Sequence, residues 1–146
     1  MANIQRKANA QWSGDLRSGS GTMSAPSGVF RDTPYSFRTR FENQPGTNPE
    51  ELIAAAHAGC FTMAFSNVLA SAGHTAESLQ TEATLEMDAS GGGFRIGSIV
   101  LRTRGRVPGV DQSQFQQFAE QAEQGCPVSG ALRGNVNIKV EATLEG

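Results

Sequence analysis

From Leu52 to Ala72 the chain runs through alanine and large apolar residues, and both ends of the stretch are marked. Asn48-Pro49-Glu50-Glu51 supplies an N-cap residue, proline at the first helical position, two acids in the first turn, and a Glu three residues after the cap to complete a capping box. Gly73 supplies the stop. The segment predicts a helix of roughly 24 residues that is apolar on most sides, and such a helix belongs in the middle of a fold. Everything else must be arranged to cover it.

The whole sequence has 146 residues, enough for one domain, which we assign to 1–146. At that length about two thirds of the unfolded surface can be buried, so neither a disulfide nor a metal is needed merely to keep the chain folded. The two cysteines therefore need another explanation. Twelve basic against fourteen acidic residues give a net charge of −2, and the cations, ten of them arginine, are spread along the chain. A nucleic-acid footprint would need a clustered excess. The start of the chain has charges but no apolar core behind them, so neither a signal peptide nor a membrane span is expected, and the cytoplasm is the expected compartment. Thiols stay reduced there, and a lone pair of cysteines is reactive more often than structural.

Around the long helix the periodicity changes. The first 41 residues read as β structure, with a hairpin turn at Ser13-Gly14-Asp15 and a strand opened by Pro34, in which Tyr35, Phe37, Thr39 and Phe41 alternate with Ser36, Arg38 and Arg40. After the helix, Leu79, Thr81, Ala83, Leu85 and Met87 alternate with polar residues, as in a half-buried antiparallel strand, and three glycines at 91–93 turn the chain back. In the next strand Phe94 and Ile96 share one parity, Ile99, Leu101 and Val107 the other, so a bulge is expected near Gly97-Ser98, with Arg102, Arg104 and Arg106 facing away. Asp111 caps a second helix built on Phe115, Phe118, Ala119 and Ala122, ending at Gly125. Cys126-Pro127 opens a short helical turn, and Val136 to Leu144 is a last alternating strand. The sum is an α+β domain with an antiparallel sheet and a helical layer.

Cys60 lies inside the long helix and Cys126 follows 66 residues later, so they form no C-x-x-C pair. With His57 and His74 they lack the paired spacing of a structural zinc site. Cys126 stands at a helix start, where free N–H groups and the dipole favour developing negative charge. Cys60, about ten residues into its helix, would need an external cation, and the arginines at 38 and 40 are the natural source. His57, three residues before Cys60, also makes a nucleophile and base pair conceivable, although no Asn or Asp is placed to orient the imidazole.

These residues together resemble the osmotically inducible protein C / organic hydroperoxide resistance (OsmC/Ohr) family, and its OsmC branch more closely. The resemblance covers nearly the whole chain and rests on Ala10-Gln-Trp12-Ser-Gly-Asp15, Gly19-Ser-Gly-Thr22, Thr39-Arg-Phe-Glu42, Gly46-Thr-Asn-Pro-Glu-Glu-Leu52, Ala56-His-Ala-Gly-Cys-Phe61, Val107-Pro-Gly109 and Gly125-Cys-Pro-Val-Ser129. It implies an OsmC-like fold: an antiparallel sheet packed on a long central helix with a second helix, in an intertwined homodimer. It also implies a cysteine-based peroxidase that reduces organic hydroperoxides, and hydrogen peroxide more weakly, with no metal or other cofactor. By position, Cys60 matches the peroxidatic cysteine, Cys126 the resolving cysteine, Arg40 the arginine that pairs with the thiolate, and Glu50 the carboxylate that orients it. Arg17 is the alternative to Arg40. The implied reductant is a thioredoxin-like or lipoyl-bearing dithiol protein.

If Glu50 and Cys60 share one helix, ten residues of rise separate them by about 15 Å, too far to touch the same guanidinium. Either the helix breaks between them or the two come from different chains. The competing readings are a Cys60/His57 acyl-transfer enzyme and a non-catalytic dimeric module that binds small molecules.

Overall fold

In a computed structural model, which describes residues 3–146, the chain falls into two units, Met1–Leu52 and Ile53–Gly146. The first is built on β1 (Asn9–Ser13), β2 (Ser20–Ser24) and β3 (Thr33–Tyr35), an antiparallel sheet in that order. Gly14, at φ 95°, starts the turn between β1 and β2, and the strands pair from Ser13 opposite Ser20 to Asn9 opposite Ser24. Asp15 holds the turn by accepting from the backbone N–H and hydroxyl of Ser18, which keep its carboxyl below the ordinary value.

The strand expected to run on through Phe41 stops at Tyr35. Phe37–Phe41 is a helical turn, α1, and the reason is local. The Ser36 hydroxyl accepts from the Thr39 N–H, the Thr39 hydroxyl accepts from the Ser36 N–H, and this reciprocal cap outweighs the alternation of aromatic residues. The change of period matters: residues 38 and 40 share a face on a strand, but on a helix they point about 200° apart.

Helix α2 (Pro49–Ser71) begins and ends where its sequence signals place it. The Asn48 side chain accepts from the Glu51 N–H at 2.7 Å, while the Glu51 carboxylate, expected to close the box, instead accepts from the Thr47 hydroxyl. At the other end the His74 N–H reaches the Leu69 carbonyl and the Gly73 N–H that of Ala70, with Gly73 at φ 91°, a Schellman stop. Among the described residues it is the one helix long and apolar enough, by length and composition, to cross a membrane.

In the second unit Phe61, Phe65 and Leu69 of α2 are fully buried against Ile99, Leu101, Phe115 and Ala119, with the Phe65 and Phe115 rings 4.9 Å apart. Strand β4 (Ser78–Asp88) pairs antiparallel with β5 (Arg95–Arg106), and the register slips between Glu86 and Met87, leaving Gly97 unpaired as the bulge. At Gly105 an added Cβ would stand 2.5 Å from Leu79 Cδ2 and 3.1 Å from Phe115, so glycine there lets the helical layer approach the sheet.

The last strand, β6 (Asn137–Leu144), runs parallel to β5, so the sheet is mixed where an antiparallel one was expected. The cause is the connection. Two helices, α3 (Gln112–Gly125) and α4 (Pro127–Leu132), lie between β5 and β6, and a crossover of that length returns the chain in the same direction. The outer edge of β6 is closed by two glutamines of α3, four residues apart. Gln112 and Gln116 each donate to a β6 carbonyl (Ala142 and Val140) and accept from a β6 N–H (Leu144 and Ala142), at 2.7–3.1 Å. An exposed edge is thereby satisfied without another strand.

Candidate active site

Cys60 and Cys126 come together because α2 and α4 meet. Asp111 caps α3 through a capping box with Gln114, α3 ends at Gly125, and Pro127 at the first position of α4 leaves Cys126 as its N-cap. Its Sγ lies 3.1 Å from Cys60 Sγ and donates to it. Cys126 is 1% exposed and Cys60 half-buried, and both are free thiols.

Three influences act on the Cys60 thiol, and all arise inside this unit. Burial is the largest and raises its pKa above the ordinary 9.0; the Val128 N–H, donated from the first turn of α4, opposes it; Cys126 raises it again. Cys60 lies too far into its own helix to be helped by that helix's start, and the N–H that reaches it belongs to the helix of the other cysteine. That single donor does not outweigh burial, so a reactive thiolate here still needs a cation.

His57 does not act on Cys60. Its Nε2 lies 2.7 Å from the Ser129 hydroxyl, both side chains are fully buried, and among the described residues its Nδ1 has no hydrogen-bond partner. An orphaned buried nitrogen costs about 1–3 kcal/mol. Burial lowers the His57 pKa below 6.5, with Glu123 opposing more weakly, so the ring is neutral at neutral pH. Cys60 and His57 therefore form no nucleophile and base pair, and the acyl-transfer reading loses its base.

Beyond Cys126 a further polar contact ties α4 to α3. Arg133, at the C-terminal end of α4, donates to the carbonyl and the carboxylate of Glu123, at 3.0 and 2.8 Å, and Glu123 is 7% exposed. Ser129, Glu123 and Arg133 were all missed from sequence. Ser129 stood inside a motif already singled out, but nothing linear joins it to a histidine 72 positions away.

In the first unit Arg40 and Glu50 meet in a two-point ion pair, Nε to Oε1 and Nη2 to Oε2, each at 2.9 Å. Glu50 is 8% exposed. Arg40 has one face over the Phe41 ring, its Cζ 5.0 Å from the centroid, and forms part of the wall of a cavity of about 270 Å³ lined by Trp12, Leu16, Tyr35, Phe37 and Phe41. Arg17 instead stacks over Phe37 at 4.6 Å, and Arg38 is exposed. The structure thus pairs the four predicted residues two by two, Arg40 with Glu50 and Cys60 with Cys126. Among the described residues no group of three or more His, Cys, Asp or Glu is arranged to hold a metal ion.

Residues 41–141 match the family model described as OsmC-like protein. The chain belongs to the OsmC-like family. Within it, the chain is 47% identical over 135 residues to the peroxiredoxin OsmC of Escherichia coli K12, covering 92% of this chain and 94% of that one. It is 38% identical over 102 residues to the organic hydroperoxide resistance protein OhrB of Bacillus subtilis, covering 68% and 72%. The crystal structure of that OhrB superposes with a TM-score of 0.68 over 94% of this chain and 98% of the other, at 30% identity. An organic hydroperoxide resistance protein of Elizabethkingia anophelis, crystallised with thiocyanate, superposes with a TM-score of 0.70 over 99% and 100%, at 26% identity. The α+β architecture of the OsmC-like family, with its long helix and two small sheets, is the fold of this chain.

Proposed function

We propose that this chain is a thiol-dependent peroxidase that reduces organic hydroperoxides to alcohols. The observation that carries the reading is the pair of free thiols, Cys60 and Cys126, 3.1 Å apart in a member of a family whose relatives are named for peroxidase activity and organic hydroperoxide resistance. The Cys60 thiolate attacks the distal oxygen of the hydroperoxide. The O–O bond breaks, the alkoxide takes a proton and leaves as alcohol, and Cys60 becomes a sulfenic acid. Cys126 then attacks the Cys60 sulfur; the S–S bond forms, the S–O bond breaks, and the thiol proton leaves with the hydroxyl as water. A dithiol protein, thioredoxin-like or lipoyl-bearing, reduces the disulfide.

Arg40 supplies the cation that Cys60 lacks, with Glu50 fixing its orientation. We place the guanidinium held by Glu50 at Cys60 of a second copy, a reading supported by the rise of about 15 Å that ten helical residues put between Glu50 and Cys60 along α2. On this reading the chain works as a homodimer, in the reducing compartment where both thiols are restored. The aromatic cavity that Arg40 borders suits an organic tail better than hydrogen peroxide.

The test is consumption of cumene hydroperoxide driven by dithiothreitol. Wild type turns over, Cys60→Ser does not, and Cys126→Ser stalls or loses turnover as Cys60 over-oxidises. Absence of consumption by fully reduced wild type overturns the reading.

A further inference from the structure

The hydrogen bond between His57 and Ser129 runs alongside the contact between the two cysteines. His57 precedes Cys60 by three residues, one turn back on α2, and Ser129 follows Cys126 by three residues in α4. The bond, at 2.7 Å and wholly buried, therefore joins the same two helices that carry the two sulfurs. Helix α4 has only six residues and no side-chain bond at its N-cap. Its tie from Arg133 to Glu123 runs back to α3, and the Val128 N–H that reaches Cys60 ends on the reacting sulfur itself, so among the described residues the bond between His57 and Ser129 is the side-chain tie between α4 and α2 that does not depend on the state of that sulfur.

We infer that His57 is a positioning residue for the second half of the reaction, holding α4 through Ser129 so that Cys126 stays within reach of Cys60. The inference rests on the proposed roles of the two cysteines. For a disulfide, Cys126 must close from 3.1 Å to about 2 Å on the Cys60 sulfur, in line with the breaking S–O bond. A drift of α4 by an ångström misplaces that attack and gives a second hydroperoxide time to convert the sulfenic acid into a sulfinic acid. Nothing on the ring suggests acid–base work: among the described residues Nδ1 meets no carboxylate, hydroxyl or carbonyl. An apolar residue would fill the same space without an orphaned nitrogen, so the bond to Ser129 is what a histidine adds there.

The test separates the two oxidation steps. The reduced full-length protein is mixed with a small excess of cumene hydroperoxide, quenched at intervals and weighed intact, with dimedone to trap sulfenic acid. In His57→Phe and Ser129→Ala, disulfide formation should slow about tenfold relative to Cys60 oxidation, and the sulfinic fraction should rise. The double variant should be no slower than the slower single variant, and His57→Gln, whose amide can still reach the Ser129 hydroxyl, should recover most of the rate. Ser129→Ala removes one oxygen atom and keeps the test open if His57→Phe does not fold. Disulfide formation at the wild-type rate in folded Ser129→Ala, or His57→Gln no faster than His57→Phe, overturns the inference. If wild type itself forms no disulfide, the proposed function falls with it.

Discussion

At the level of single residues the balance to be struck is the charge on Cys60. Burial raises its pKa and the Val128 N–H only partly offsets this, so the rate of hydroperoxide attack should climb with pH through the Cys60 pKa, because only the thiolate is nucleophilic. A guanidinium beside the sulfur lowers that pKa. Arg40→Met should therefore move the midpoint of the pH–rate profile to higher pH by about 1–3 units and depress the rate at neutral pH accordingly. Arg40→Lys keeps the charge, loses the two-point grip on Glu50, and should fall between. A profile whose midpoint does not move in Arg40→Met assigns the cation to another residue. The motifs around Cys60, Cys126, Arg40 and Glu50 single those residues out in the sequence, and the structure brings them together in two pairs. Ser129 and the neutral state of His57 were not legible there, because both depend on a contact between segments far apart in the chain.

Among the elements, those with signals at both ends came out as expected. Helix α2 has its cap and its Schellman glycine, α3 has Asp111, and the bulge at Gly97 follows from a parity change visible in the strand itself. Two features were not legible. Alternating aromatic residues at 35–41 read as a strand, yet the four-residue exchange between Ser36 and Thr39 makes a helical turn, and short apolar segments carry too little periodicity to decide. The direction of β6 depends on the path of two helices and on Gln112 and Gln116, which look like ordinary surface residues of α3. Gly105 gives the sharpest test of how sheet and helical layer fit. Gly105→Ala drives a methyl group against Leu79, Ser78 and Phe115 and should cost about 1–3 kcal/mol, read as a lower urea midpoint at unchanged slope. A midpoint equal to wild type would mean that the layers have room to spare.

For the molecule as a whole, the outer side of α2 carries the main consequence. Ala55, Ala56, Gly59, Met63 and Ala70 are exposed there, Met63 at 78%, on a helix with no charged residue between Glu51 and its end. Such a face suits a second copy of the chain. Light scattering at micromolar concentration should give the mass of two chains, and Met63→Glu should give one chain with peroxide consumption lost; a monomeric, fully active wild type would contradict the shared site. The two cysteines, which folding does not require, are in the proposed reaction the two ends of one transient bond. The most direct measurement is the intact mass of the reduced protein after a single equivalent of cumene hydroperoxide. Wild type should lose two hydrogens, with a Cys60–Cys126 disulfide in the peptide map, Cys126→Ser should gain one oxygen at Cys60, and Cys60→Ser should not change. Reduced wild type that keeps its mass, or an oxygen found on any residue other than Cys60, would contradict it.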